Sequence, residues 1–177
     1  MLKMPNYSMD HDQEYWEVPE RFRSLVESLP SIGIRSTYFP LGDVQDDDAP
    51  TAVVLQMEPG YVITRHAHPC QRVEVVLRGT IEADDGRTLV PGDVMTADAN
   101  EFYGPKTAGP EGCTTLEIFS KTIGSFTRIS EFPDGSHKTT NILEDQSVLG
   151  QGREEAGAGG VGDRAPAGVA SAPKRPS

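Results

Sequence analysis

Between residues 51 and 121 the chain is written as short β-rich runs punctuated by turn residues, and that cadence limits what it can fold into. The runs fall at 51–57, 61–68, 73–77, 80–84, 87–90, 94–97 and 114–119. Strands this short and this evenly spaced predict an antiparallel barrel or sandwich. Pro59-Gly60, Arg78-Gly79, Asp84-Asp85-Gly86 and Pro91-Gly92-Asp93 can each supply the dihedral angles of a tight reversal. No helix-forming stretch interrupts the block.

Upstream, Val18, Phe22, Leu25, Val26 and Leu29 recur at helical spacing, with Pro19 suited to the first turn and Pro30 to the stop. Residues 32–41 read as extended and 43–50 as an acidic, solvated loop. Downstream, 125–132 could add one strand at an edge. From Gly150 to Ser177 the chain is Gly, Ala and Pro with scattered charge, a composition that buries too little apolar surface to offset the entropy of ordering. The expected organisation is a flexible N-terminus (1–16), a domain at 17–135 with its core at 51–120, and a flexible, disordered tail at 136–177.

The net charge of −11 and pI near 4.7 argue against nucleic acid or an anionic membrane as partner, since both would be repelled. No run approaches the roughly 20 apolar residues that span a bilayer. These features predict a cytoplasmic protein with a small-molecule partner. Cys70 and Cys113 lie in no Cys-x-x-Cys and read as reduced thiols, Cys70 as a small buried hydrophobe despite its nearness to His68.

The chemistry concentrates in Gly60-Tyr61-Val62-Ile63-Thr64-Arg65-His66-Ala67-His68. Histidines two apart on a strand project from one face, so His66 and His68 can reach the same ion. Neutral imidazole suits zinc, iron, nickel or copper. Glycine, five residues, His-x-His and a later glycine at Gly79 resemble the first motif of the cupin family, and Pro91-Gly92-Asp93 resembles part of the second.

That resemblance spans about residues 51–120 and implies an all-β cupin-type double-stranded β-helix, or jelly-roll barrel, carrying a short N-terminal helix. It also implies a divalent metal (Fe, Zn, Ni or Mn) and, as many cupins do, a homodimer. The family pattern places a glutamate ligand where Arg72 stands and a third histidine where Tyr103 stands. Glu74, one pleat beyond Arg72 on the same face, is the candidate carboxylate, and Tyr103 the candidate phenolate or acid. Together, His66, His68, Glu74 and Tyr103 form the expected metal set, with Glu74, Tyr103 and Arg72 as catalytic candidates. Two other readings stay open. Arg72 and Glu74 could instead be an internal ion pair, or Arg72 could grip an anionic substrate. Glu117 either enters the pocket or faces water. Asp98, Glu101, Gln71, His11 and His137 are weaker candidates. Dioxygenases, isomerases, lyases, decarboxylases and polyketide cyclases share the resemblance. Two histidines and a carboxylate favour a non-heme iron dioxygenase; zinc or nickel would favour an isomerase, lyase or cyclase; and a non-catalytic ligand-binding cupin is the competing class.

Overall fold

The computed structural model describes residues 6–149. Its regular structure is almost entirely antiparallel strand. One sheet has seven strands: β1 (Ile34–Pro40), β2 (Thr51–Met57), β3 (Val62–Ile63), β5 (Arg72–Glu82), β6 (Thr88–Leu89), β7 (Val94–Ala97) and β8 (Lys106–Phe119). The path runs β1-β2-β8-β5-β6, with β3 added to β8 and β7 to β5. A second sheet, ordered β10-β9-β4, is built from β4 (His66–Ala67), β9 (Thr127–Glu131) and β10 (His137–Asn141). This two-sheet antiparallel architecture is the expected jelly-roll class.

Helix α1 (Glu20–Ser28) forms where the apolar spacing places it, and it buries Phe22 and Leu25. Its Phe22 ring lies 4.8 Å from Phe126 and 5.4 Å from Tyr38, joining the helix to the end of a short second helix, α2 (Thr122–Phe126), and to β1. Each ring buries a large apolar area, so this trio anchors the N-terminal segment to the barrel. Upstream, residues 13–16 form a 3-10 turn whose Trp16 ring stacks under the Arg35 guanidinium at 3.8 Å. The N-terminal segment is therefore placed from residue 6, and residues 1–5 lie outside the described residues.

Two expected strands, 73–77 and 80–84, are one strand. β5 runs through the intervening Arg78-Gly79 by register shifts at Val76/Arg78 and at Gly79/Ile81. Gly79 sits at φ +69°, and a Cβ there would meet the Gly112 carbonyl of β8. The glycine read as a reversal is a bulge at which two backbones touch. β8 likewise begins at Lys106, well before residue 114, because Gly109-Pro110-Glu111-Gly112 is absorbed into the irregular pairing instead of breaking it.

The structured chain also runs past residue 135. β10 pairs with β9 from His137↔Glu131 to Asn141↔Thr127, and Ile142 and Val148 pack into the core at 7 % and 2 % exposure. Polar composition at 136–141 suggested a tail, but main-chain pairing orders it irrespective of side chains. The remainder of the expected tail, 150–177, lies outside the described residues. Among the described residues no helix is long and apolar enough to cross a membrane.

Candidate functional site

The two sheets enclose a cavity of about 100 Å³. Its lining includes the apolar Leu29, Ile34, Leu55 and Ile63, together with His66, His68, Arg72, Tyr103, Lys106, Glu117 and Arg128. Strand alternation explains the gathering. Arg72 and Glu74 project from one face of β5, and Glu117, registered against Glu74, projects from β8 on that same face. Residues 66 and 130 are registered partners between β4 and β9, which brings the face of His66 and His68 against that of Arg128 and Ser130.

His66 and Tyr103 are held by a backbone bridge in which each N–H donates to the other's carbonyl, at 3.1 and 3.0 Å. Their side chains follow: the Tyr103 hydroxyl lies 2.9 Å from His66 Nε2. His66 Nδ1 lies 2.8 Å from the Thr64 carbonyl, and His68 Nδ1 lies 2.9 Å from that of Gly124. A carbonyl can only accept, so both rings carry their proton on Nδ1 and present Nε2 as the acceptor. Tyr103 then donates to His66. Burial, with the charges of Arg128 and Lys106, holds the His66 pKa well below its ordinary value. Burial likewise takes His68 down to about 3, partly opposed by the Gly124 carbonyl. Both rings are neutral at physiological pH. Burial raises the Tyr103 phenol well above its usual range, so it too is protonated.

Arg72 is the hub of a buried ion network. Its Nη2 donates to Glu74 at 2.7 Å and its Nη1 to Glu117 at 2.5 Å, while Lys106 also bonds Glu74. The guanidinium lies 3.8 Å from the Tyr103 ring centroid. Burial would raise both carboxyls. For Glu74 the charges of Lys106 and Arg72 win and hold it at about 2. Glu117, with Glu74 as a like-charged neighbour, is pushed up.

The sequence-derived site is thus assembled in part. His66, His68 and Tyr103 converge, and Glu74 does turn inward, but it is engaged by Arg72 and Lys106 and does not join the histidines. Among the described residues no three His, Cys, Asp or Glu side chains are grouped so as to hold a metal ion. Two imidazoles and a protonated phenol, faced by Arg72, Lys106 and Arg128, make a poor seat for a divalent cation, because the charges that depress the histidine pKa values oppose a metal equally. The donor set does not fit the expected metal. Arg72 is not a free anion clamp either, since both of its terminal nitrogens bond carboxylates and only its buried Nε is left without a partner. The internal ion pair is the arrangement present, and Glu117 faces the pocket. Asp98 and Gln71 bond each other at the surface at 3.3 Å. His137 lies 3.6 Å from Glu131 at the exposed end of β10.

Lys106 and Arg128, which line the pocket, and Thr64, which holds His66 and Arg128 by hydrogen bonds, were not singled out from the sequence. Arg128 and Ser130 face inward with Ile129 between them, the reverse of the apolar-in pattern by which strand faces are read. Lys106 follows Gly104-Pro105, where no strand was expected.

A two-sheet antiparallel barrel with an inward His-x-His strand and a Pro-Gly-Asp turn defines a cupin-type fold. Solved structures similar to this chain include an RmlC-like cupin protein from Ralstonia eutropha, 14 % identical over 75 % of this chain and 80 % of that one, with a TM-score of 0.46. KdgF from a Halomonas species is 23 % identical over 50 % and 82 %, with a TM-score of 0.40. An acetylacetone dioxygenase from Acinetobacter johnsonii is 14 % identical over 65 % and 86 %, with a TM-score of 0.42. No family model and no curated protein matches the sequence.

Proposed function

We propose that the protein is a small-molecule enzyme of the cupin type whose barrel interior moves a proton on its substrate, an isomerase- or lyase-class chemistry, with His66 and Tyr103 as the exchanging groups. The observation that carries this reading is the Tyr103 Oη to His66 Nε2 hydrogen bond inside the cavity. The Thr64 carbonyl fixes the His66 tautomer from behind, so one nitrogen lone pair and one hydroxyl proton meet where a ligand would lie. Burial leaves His66 with a free lone pair and Tyr103 with its proton; it also weakens the ring as a base and the phenol as an acid, so the exchange depends on a bound substrate whose developing charge offsets that cost. His68 lies beside the pair, its ring centroid 5.1 Å from that of His66, and Arg72 braces the far face of Tyr103. A dioxygenase reading depends on a carboxylate joining the two histidines, and Glu74 is engaged elsewhere.

The test is exchange of carbon-bound hydrogen. Small ketones, aldehydes and oxo-acids are incubated with the protein in deuterated water, and loss of the proton signal next to the carbonyl is followed by NMR. Wild type is expected to accelerate exchange for a subset, with the acceleration lost in His66→Gln and reduced on the order of a hundredfold in Tyr103→Phe. Equal exchange in wild type and His66→Gln would refute the assignment. Elemental analysis accompanies it: one equivalent of divalent metal that disappears in His66→Ala/His68→Ala would overturn the metal-free reading.

A further inference from the structure

Three buried cations face the cavity, and they are not equivalent. Arg72 and Lys106 are matched by Glu74 and Glu117 in one network. Arg128, 7 % exposed on β9, stands outside it. Its Nε donates to Ser130 Oγ at 3.2 Å, and its Nη2 donates to Thr64 at 3.2 Å to the carbonyl and 2.5 Å to the hydroxyl. These partners are neutral. Among the described residues no carboxylate pairs with Arg128, and its Nη1 makes no hydrogen bond. An uncompensated buried charge is costly, and a fold that retains one has a place ready for a counter-ion.

We infer that Arg128 is the anchor for the ligand of this pocket, and that the ligand is a small monocarboxylate with an apolar body. The carboxylate completes the hydrogen bonding of the guanidinium through Nη1, and the apolar body packs on Leu29, Ile34, Leu55 and Ile63. One uncompensated cation asks for one negative charge. A dianion such as phosphate would bring a second charge into a wall that has no cation left to meet it. The inference rests on the barrel interior being the ligand site, but not on proton transfer there. It moves the anion clamp from Arg72, whose terminal nitrogens are occupied, to a residue whose partners only position it.

Equilibrium binding tests it without turnover. Hexanoate and benzoate are titrated into the full-length protein by calorimetry beside hexanamide and benzamide, which share their shapes and lack the charge, and beside inorganic phosphate. Wild type should bind each acid at least about tenfold more tightly than its amide, a difference of about 1.4 kcal/mol. Arg128→Gln should erase that preference, and Arg128→Lys should restore part of it. His66→Gln should keep the preference, so loss of proton exchange and loss of the carboxylate site are separately visible. A merely structural Arg128 predicts a lower melting temperature in Arg128→Gln with the preference intact in whatever remains folded. Equal binding of acid and amide by wild type, no binding of either, tighter binding of phosphate, or a preference retained in Arg128→Gln overturns the inference; the wild-type comparison stands even if the variant does not fold.

Discussion

Arg72 stands where the resemblance calls for an acidic ligand, and the exchange of sign reorganises its neighbours. A guanidinium on that strand face draws Glu74 and Glu117 to itself, and Lys106 shares with it the same Oε2 of Glu74, so a position that would bind a metal becomes the centre of a buried ion network. Networks of this kind are sensitive to losing one member, because the partner charges stay buried. Glu74→Gln strands Arg72 and Lys106 with only Glu117 between them. The expected outcome is a loss of about 3–5 kcal/mol in urea denaturation. Tyr103→Phe leaves the buried His66 Nε2 without its donor and should cost about 1–3 kcal/mol, less than the loss of a charged member of the network. Equal costs for the two would show that the network is not what the geometry says. The sequence made His66, His68, Tyr103 and the ambiguity of Glu74 legible, since each follows from strand alternation and motif spacing. It did not reveal Arg128, because a charged side chain on a short strand reads as solvated unless the far wall of the pocket is known, nor Lys106, because Gly104-Pro105 before it reads as a break and not as the start of β8.

Whole elements were legible where hydrophobic patterning sets them, and illegible where irregular backbone does. β2 and β7 lie at their expected bounds, and α1 lies within its apolar repeat. β5 was divided in two because Gly79 resembles a turn, although it serves as a bulge against Gly112. The two functions differ in what they tolerate. A turn glycine exposed to solvent accepts alanine at the cost of a positive φ, whereas Gly79 would also press its Cβ onto the β8 backbone. Gly79→Ala should therefore cost more than the roughly 1–3 kcal/mol of a strained backbone residue alone. Gly86 provides the control, with φ +83° and open space around its Cβ position. Thermal melts of the two variants should separate them clearly, with Gly86→Ala the milder. Similar melting temperatures would mean that β5 and β8 separate readily at the bulge.

At the scale of the whole molecule, a barrel that buries two histidines and a balanced ion network ties its stability to pH in a definite sense. The pKa values of His66 and His68 in the folded chain lie below the ordinary value of 6.5, that of His68 at about 3. Below pH 6.5 the unfolded chain therefore takes up protons that the folded barrel refuses. Stability from these groups is complete above about pH 6.5 and is lost as the pH falls, with a slope of about 1.4 kcal/mol per pH unit for each histidine. Glu74 acts in the same direction lower down, its contribution present above 4.5 and lost as the pH falls towards about 2. Glu117, whose pKa is raised, works in the opposite sense and relieves part of the loss. Between about pH 6.5 and pH 5 the histidines outweigh the carboxylates, because Glu74 has not begun to titrate. Urea midpoints should fall steadily over that interval in wild type. His68→Gln can still donate an amide hydrogen to the Gly124 carbonyl but no longer titrates, so its slope should be shallower by about 1.4 kcal/mol per pH unit. A variant whose pH dependence matches that of wild type would mean that His68 takes up its proton without opening the barrel, and that the space around it is wet.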